Sequence, residues 1–357
     1  MHVCGEGHPS GQSRVILELS RGQVAAGHRV MVGCPPGSVL EQSVRELNVT
    51  AAPIPFNGTA STGAAIAEAA RLGGFDVVNA HSSLDRKATL WARERGRLAA
   101  ALVFTRHVRT LTFPPKLWWQ TRRVDRVIAV SWDVAGRLIA RGAARRKVVV
   151  VPNGLPAEFL SVTPEPDEVA AARAKLSGIV GAPIVGVVSR RKAQEVLLRA
   201  ARHIERRLNF AFIGIAAEPA LERLAAQAPQ HAVRFVPFVA DPRPYYACLA
   251  ISALPSRQEG LSIAQLEAMA LGIPFVGSRF AGIPDLTTDG VDGLLVRHDD
   301  TRAWARAIER LLDDRPLAQR LAAAAKRKVL ESFTFDKTLA NTEAVYRAAL
   351  AERRART

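Results

Sequence analysis

Short apolar, β-branched runs alternate with amphipathic stretches along the whole chain, and this alternation restricts the fold to the α/β class. In the first half the runs are HRVMVG (28–33), DVVNA (76–80), ALVFT (101–105), RVIAV (126–130) and KVVVVP (147–152), with helices predicted between them, for example over 13–26 and 132–141. In the second half they are PIVGVVS (183–189), NFAFIG (209–214), AVRFVP (232–237), AISALP (250–255), IPFVG (273–277) and GLLV (293–296). Between the halves, the stretch from Asn153-Gly154 to Pro164-Glu165-Pro166 is rich in turn formers. This predicts domains at 1–153 and 154–334, with a last helix in 335–357. A length of 357 residues suits two domains, and 48% hydrophobic residues suffice for a core in each. The stretch before the first glycine loop is only His2-Val3-Cys4, which predicts a stub strand or a start further upstream.

No apolar run reaches membrane-spanning length, and residues 1–13 lack the layout of a signal peptide. The three cysteines (Cys4, Cys34, Cys248) have neither disulfide nor metal-ligand spacing, so the expected location is cytoplasmic. Net charge is +16. Between Arg86 and Lys147 sixteen Lys/Arg stand against Glu94, Asp125 and Asp133, a balance of +13. Lys116, Trp118, Trp119, Arg122 and Arg123 lie in that stretch. Cations mixed with tryptophan suit an anionic membrane surface. Nucleic acid would also be attracted, and a plain solvated face is the third reading. The expectation adopted is peripheral attachment to the inner face of the cytoplasmic membrane, with no nucleic-acid partner.

In the second half, Glu259 and Glu267 flank the run 260–266, and Glu267 is the only charged residue between Gly260 and Ser278. A carboxylate on an apolar helix must be paired across the fold or kept to hold something polar. The amides of Gly260, Leu261 and Ser262 at the predicted helix start form a natural phosphate cradle. Two carboxylates that accept sugar hydroxyls beside a phosphate site describe a nucleotide-sugar pocket; a structural ion pair plus a helix cap is the alternative. The run ending at Ser189 leads into Arg190-Arg191-Lys192, cations at the strand end where ligands of open sheets bind.

The segment LPSRQEGLSIAQLEAMALGIPFVGSRFAGIPDLTTDGVDGLLV, Leu254 to Val296, resembles the donor-binding signature of the retaining GT-B glycosyltransferases of family 4. Asp285 stands where that signature usually has Glu. The resemblance, with weaker matches elsewhere, covers almost the whole chain. It implies two Rossmann-like doubly wound domains facing across a cleft, acceptor on the first, donor on the second, and a final helix crossing back. It implies that Arg190 and Lys192 contact the donor phosphates, with Arg191 facing solvent or substituting for either. Glu267 would grip the ribose hydroxyls and Glu259 those of the sugar. It implies retention of configuration by front-face attack, without a metal or other cofactor.

GEGHPSGQS, near the N-terminus, is a weak dinucleotide fingerprint, because the next strand ends at Cys34 rather than at an acidic residue. The resemblance places Gly11 where the backbone approaches the donor diphosphate or acceptor, with Ser10 replacing the first glycine of the usual pair. His81 and His107 both end predicted strands on the same edge, where a histidine can hydrogen-bond a sugar hydroxyl, and a satisfied structural histidine is the plain alternative for each. The resemblance places His107 beside the transferred sugar. The expected function is transfer of a hexose unit from a nucleoside diphosphate sugar to a glycolipid, lipopolysaccharide-core or other cell-surface glycan. The alternatives are a GT-B nucleotide-sugar epimerase and a non-catalytic binder of anionic lipid or nucleic acid.

Overall fold

The computed structural model describes residues 1–108 and 112–355. The chain forms two compact units, Met1–Asn153 together with Phe335–Thr357, and Gly154–Thr334. Each is built on one parallel sheet. The first has seven strands: β1 His2–Val3, β2 Met31–Cys34, β3 Thr50–Pro53, β4 Val77–Ala80, β5 Ala101–Arg106, β6 Arg126–Ala129 and β7 Val148–Val150. The second has six: β8 Ile184–Val188, β9 Asn209–Ile213, β10 Ala232–Val236, β11 Ile251–Leu254, β12 Phe275–Ser278 and β13 Leu294–Val296.

Strand order is β3-β2-β1-β4-β5-β6-β7 in the first sheet and β10-β9-β8-β11-β12-β13 in the second. Both orders reverse direction beside their first strand, between β1 and β4 and between β8 and β11. Ligands of doubly wound sheets bind outside the strand C-termini at that switch point, so topology alone selects the loops after β1, β4, β8 and β11.

The sequence-predicted strands all form, most of them shortened by a residue or two at their ends; β2 starts three residues later than predicted, and β2, β5 and β12 each run one residue further. β3 is the addition. Its residues, Thr50-Ala51-Ala52-Pro53, carry little β propensity and a proline, and it lies at the sheet edge, where a missing N–H costs no ladder bond. The stub β1 pairs with both β2 and β4 despite its two residues.

In the second unit, alternation along the strands sends side chains into two layers. Val185, Val187, Phe210 and Phe212 join Leu197, Trp304 and Ile308 on one face. Ile184, Ala211 and Ile213 join Tyr246, Leu249 and Ala268 on the other. Burying each large apolar side chain contributes about 1.5–3 kcal/mol. In the first unit the helix Phe335–Arg354 closes one sheet face. Its Val345 and Ala349 pack on Ala101, Val103, Ile128 and Val151, and Thr338 Oγ1 donates to Pro152 O at 2.9 Å. At Asn153-Gly154 only glycine fits, because a Cβ on Gly154 would lie 2.2 Å from Thr334 O.

Candidate functional site

In the second unit the loop after β8 is folded around one buried side chain. Gln194 Oε1 accepts from Lys192 N at 2.7 Å and Arg191 Nη1 at 3.2 Å, while its Nε2 donates to Arg190 O at 3.1 Å. Ala193 adopts a left-handed φ of 64°, a strained conformation for a residue with a Cβ. The loop packs against the end of β9 at Gly214, whose φ is 103° and whose added Cβ would meet Ser189 backbone at 2.9 Å. Neither Gln194 nor the strain at Ala193 was legible beforehand, since both depend on how this loop turns.

The three basic residues of that loop separate clearly. Arg191 is tied to Glu195 and, at 3.3 Å, to Glu218. Arg190 is exposed, and its guanidinium forms no hydrogen bond or ion pair among the described residues. Lys192 Nζ lies 3.1 Å from Glu259 Oε1 and donates to Gln258 O at 2.8 Å. The structure thus joins the β8 loop to the β11 loop across the switch point through Lys192 and Glu259, which are 67 positions apart in sequence.

The β11 loop is braced in turn. Gln258 N donates to Ser256 Oγ at 3.2 Å, Ser278 Oγ donates to Ser256 O, and Gly282 N reaches Glu259 O at 3.4 Å. Ser262 caps the helix Ile263–Ala270 by accepting from Gln265 N at 3.2 Å. The amides of Gly260, Leu261 and Ser262 donate to no acceptor among the described residues. They lie at the positive end of a helix dipole, a setting that attracts an anion. Glu267, only 3% exposed, accepts from Tyr246 Oη at 3.1 Å. This phenol also lies 3.0 Å from Ala264 O. Tyr246 had no sequence signal, because it sits 21 residues earlier on another helix.

In the first unit, Ser10 is an extended N-cap to the helix Gly11–Ala25 and forms a capping box with Ser13. Extended backbone needs no glycine there, which explains why Ser10 is accommodated. Gly11 is exposed at the first turn. His81 follows β4 with its backbone clamped on both sides: its N–H donates to Asp85 Oδ2 at 2.6 Å and its carbonyl accepts from Arg86 Nη1 at 2.8 Å. His81 and His107 rings are bonded through Nδ1 and Nε2 at 2.9 Å. Burial pushes the His107 pKa down to about 3, with Arg86 adding to the effect. His2, not singled out from sequence, joins the same cluster at 3.0 Å from His81.

Arg106, at the end of β5 beside His107, is also new. It is only 6% exposed, and its guanidinium makes no hydrogen bond or ion pair among the described residues. Burial, then the Arg86 charge, depresses its pKa to about 9.

The basic stretch is less uniform than its composition suggests. Trp118 is 47% exposed and lies under Arg122, 4.4 Å from ring centre to guanidinium. Lys116 is exposed. Trp119 instead packs partly into the first unit's core, with Arg123 at 4.2 Å over its ring and paired to Glu94 at 2.9 Å. Lys147 is buried and donates to Arg122 O at 3.0 Å, while Arg126 pairs with Glu352. Arg109, one of the sixteen cations, lies outside the described residues. Among the described residues no helix is long and apolar enough to cross a membrane, and no group of three or more His, Cys, Asp or Glu is placed to hold a metal ion.

Two parallel doubly wound sheets, with the second carrying cations, open amides and two carboxylates at its switch-point edge, define a GT-B glycosyltransferase. The family comparisons agree. Residues 182–314 match the model described as glycosyl transferases group 1, and residues 9–159 match glycosyltransferase family 4. The chain belongs to glycosyltransferase family 4. The D-inositol 3-phosphate glycosyltransferase of Salinispora arenicola is 28% identical over 98% of this chain and 90% of its own length. A glycosyltransferase from Rickettsia africae superposes with a TM-score of 0.86 at 18% identity, covering 98% of this chain and 97% of that one. Anabaena HepE, crystallised with UDP and glucose, gives 0.84 at 19% identity over 96% and 97%.

Proposed function

We propose that this glycosyltransferase is a retaining enzyme that moves a hexose unit from a nucleoside diphosphate sugar to a glycolipid, lipopolysaccharide-core or other cell-surface glycan acceptor. The observation that carries the donor side is the convergence of Arg190, the Lys192–Glu259 pair and the open amides of Gly260 to Ser262 at the β8/β11 switch point. Breaking the sugar–phosphate bond builds negative charge on the leaving diphosphate. Arg190, Lys192 and those amides stabilise it electrostatically, which in this reading fills the part a divalent cation takes elsewhere. The departing phosphate oxygen then accepts the acceptor's proton, so attack occurs on the face it leaves and configuration is retained. Glu267, oriented by Tyr246, takes the ribose hydroxyls, and Glu259 takes those of the sugar. HepE was solved with UDP-glucose, which supports UDP as the first nucleotide to test.

The first unit serves the acceptor, with Gly11 at the approach to the diphosphate. Arg106 supports an acceptor bearing an anionic group: among the described residues its buried guanidinium has no partner, and a buried unpaired cation costs several kcal/mol that a bound anion would offset. The curated relatives named for D-inositol 3-phosphate act on such an acceptor. Lys116, Trp118, Arg122 and Arg123 would bring the enzyme to an anionic membrane.

Calorimetry with UDP, GDP, ADP and their sugars, followed by product analysis, tests the reading. Expected is binding of one nucleotide, and transfer with retained anomeric configuration only when acceptor is present. Conversion of donor alone would instead establish an epimerase, and an inverted product would overturn retention.

A further inference from the structure

Three imidazoles at the C-terminal edge of the first sheet form one continuous chain. Gln23 Oε1 lies 2.8 Å from His2 Nε2, His2 Nδ1 lies 3.0 Å from His81 Nε2, and His81 Nδ1 lies 2.9 Å from His107 Nε2. Five of the six ring nitrogens are engaged in this way. The sixth, His107 Nδ1, has no partner among the described residues.

A neutral imidazole has one donor nitrogen and one acceptor nitrogen, so fixing one end of such a chain fixes every ring in it. Gln23 turns Oε1 toward His2 and leaves its own buried Nε2 without a hydrogen bond among the described residues. In that orientation Oε1 can only accept, which puts the His2 proton on Nε2 and leaves Nδ1 bare. His81 must then donate from Nε2, and His107 from Nε2 in turn. We propose that Gln23, His2 and His81 are positioning residues that lock His107 in its Nε2–H tautomer, leaving the Nδ1 lone pair to accept a hydrogen bond from a hydroxyl of the transferred sugar. The sugar contact rests on the glycosyl-transfer reading above.

The surroundings favour the neutral chain. His2 and His81 are 2% and 1% exposed. Burial is the main cause that disfavours a charged ring in all three, and the Arg86 charge further opposes protonation of His81 and His107. Asp85, the nearby carboxylate, accepts from the backbone N–H of His81 and from Ser82, not from a ring nitrogen. The chemistry gives the lock a purpose. As the glycosidic bond breaks, positive charge develops on the sugar ring. A neutral lone pair tolerates that charge, whereas an imidazolium would repel it. An unlocked imidazole would also populate the opposite tautomer and offer the hydroxyl a donor instead.

Nitrogen-15 NMR of the full chain reads the tautomers directly. At neutral pH the three rings should all carry a proton on Nε2 and none on Nδ1. A proton on His107 Nδ1, or a charged ring among the three, overturns the lock. Kinetics test the consequence. Gln23→Leu should lower kcat by about tenfold with nucleotide affinity unchanged, and Gln23→Glu, which keeps an oxygen facing His2, should recover most of the loss. In a His107→Ala background Gln23→Leu should have no further effect. An additive loss there would show that Gln23 serves only the fold and would overturn the positioning role. If no nucleotide sugar binds at all, the glycosyl-transfer reading fails, while the tautomer measurement still decides the lock by itself.

Discussion

The ligand-facing edges of the two units use opposite chemistry on the same topology. The second unit's edge is ionic and open, with exposed Arg190, the Lys192–Glu259 pair and undonated amides. The first unit's edge is largely buried, with three imidazoles hydrogen-bonded in series beside the half-buried Arg86 and the buried Arg106. A doubly wound sheet dictates where a site lies but not what it binds. On the proposed function, the charge at the second unit's edge would meet a leaving diphosphate and the imidazoles of the first would meet sugar hydroxyls.

The sharpest way to break this contrast is at the ionic edge. Arg190→Ala or Lys192→Ala should lower turnover by about tenfold to a thousandfold. The two should differ in stability. Arg190 is exposed, so its removal leaves the Tm near the parent value. Loss of Lys192 strands Glu259, whose side chain is only 10% exposed, and should lower the Tm as well. Full activity in either variant would transfer that role to Arg191, despite its ties to Glu195 and Glu218.

Next in size is the nucleotide grip. Glu267→Gln should weaken nucleotide binding by about 1–3 kcal/mol, because the amide keeps one acceptor but loses charge assistance. Tyr246→Phe, which removes only the phenol that orients Glu267, should cost about 1 kcal/mol. Unchanged affinity in the first variant removes Glu267 from the ribose role; a larger loss in the second makes Tyr246 a direct contact.

Acid should discriminate between the edges. Folded His2 and His107 have pKa values near 4 and 3, both lowered chiefly by burial, and His81 is lowered in the same direction. The unfolded chain takes up these protons near pH 6.5, before the folded state does. The stability contribution is therefore complete above that pH and is lost as pH falls toward 4 and then 3. Asp85, raised to about 6 by burial, opposes this between its folded and unfolded values, but it is one group against three. Hydrogen exchange as a function of pH should show the first unit opening before the second. Simultaneous opening would mean that the imidazoles are not the acid-labile element.

The smallest expected effect concerns the membrane. Co-sedimentation with liposomes should rise with anionic lipid and fall with salt. Trp118→Ala should weaken it more than any change at Trp119, whose ring is partly in the core. Equal binding to neutral and anionic vesicles, or none at low salt, would reduce the basic stretch to a solvated face.

The second unit's edge was legible because its residues fall in two short runs, Arg190–Lys192 and Glu259–Glu267. Glu259, the three amides and Glu267 fall within nine positions, in an order that a helix N-terminus imposes. The first unit's edge was legible only in fragments. His107 could be named, but His2 and Gln23 could not, because their partners lie 21 to 79 residues away, and Arg106 could not, because its burial is set by the tertiary fold.

The sequence by itself determined the two parallel α/β sheets, since strand and helix periodicities are local properties of the chain. It also determined the chemistry of the second unit's binding loop, since a helix start and its caps need only neighbours in sequence. Tertiary structure alone decided that Lys192 meets Glu259, that Tyr246 meets Glu267, and that His2, His81 and His107 share one line of hydrogen bonds. Strand order brings those groups together, and strand order is set by long-range packing that no local stretch of the chain encodes.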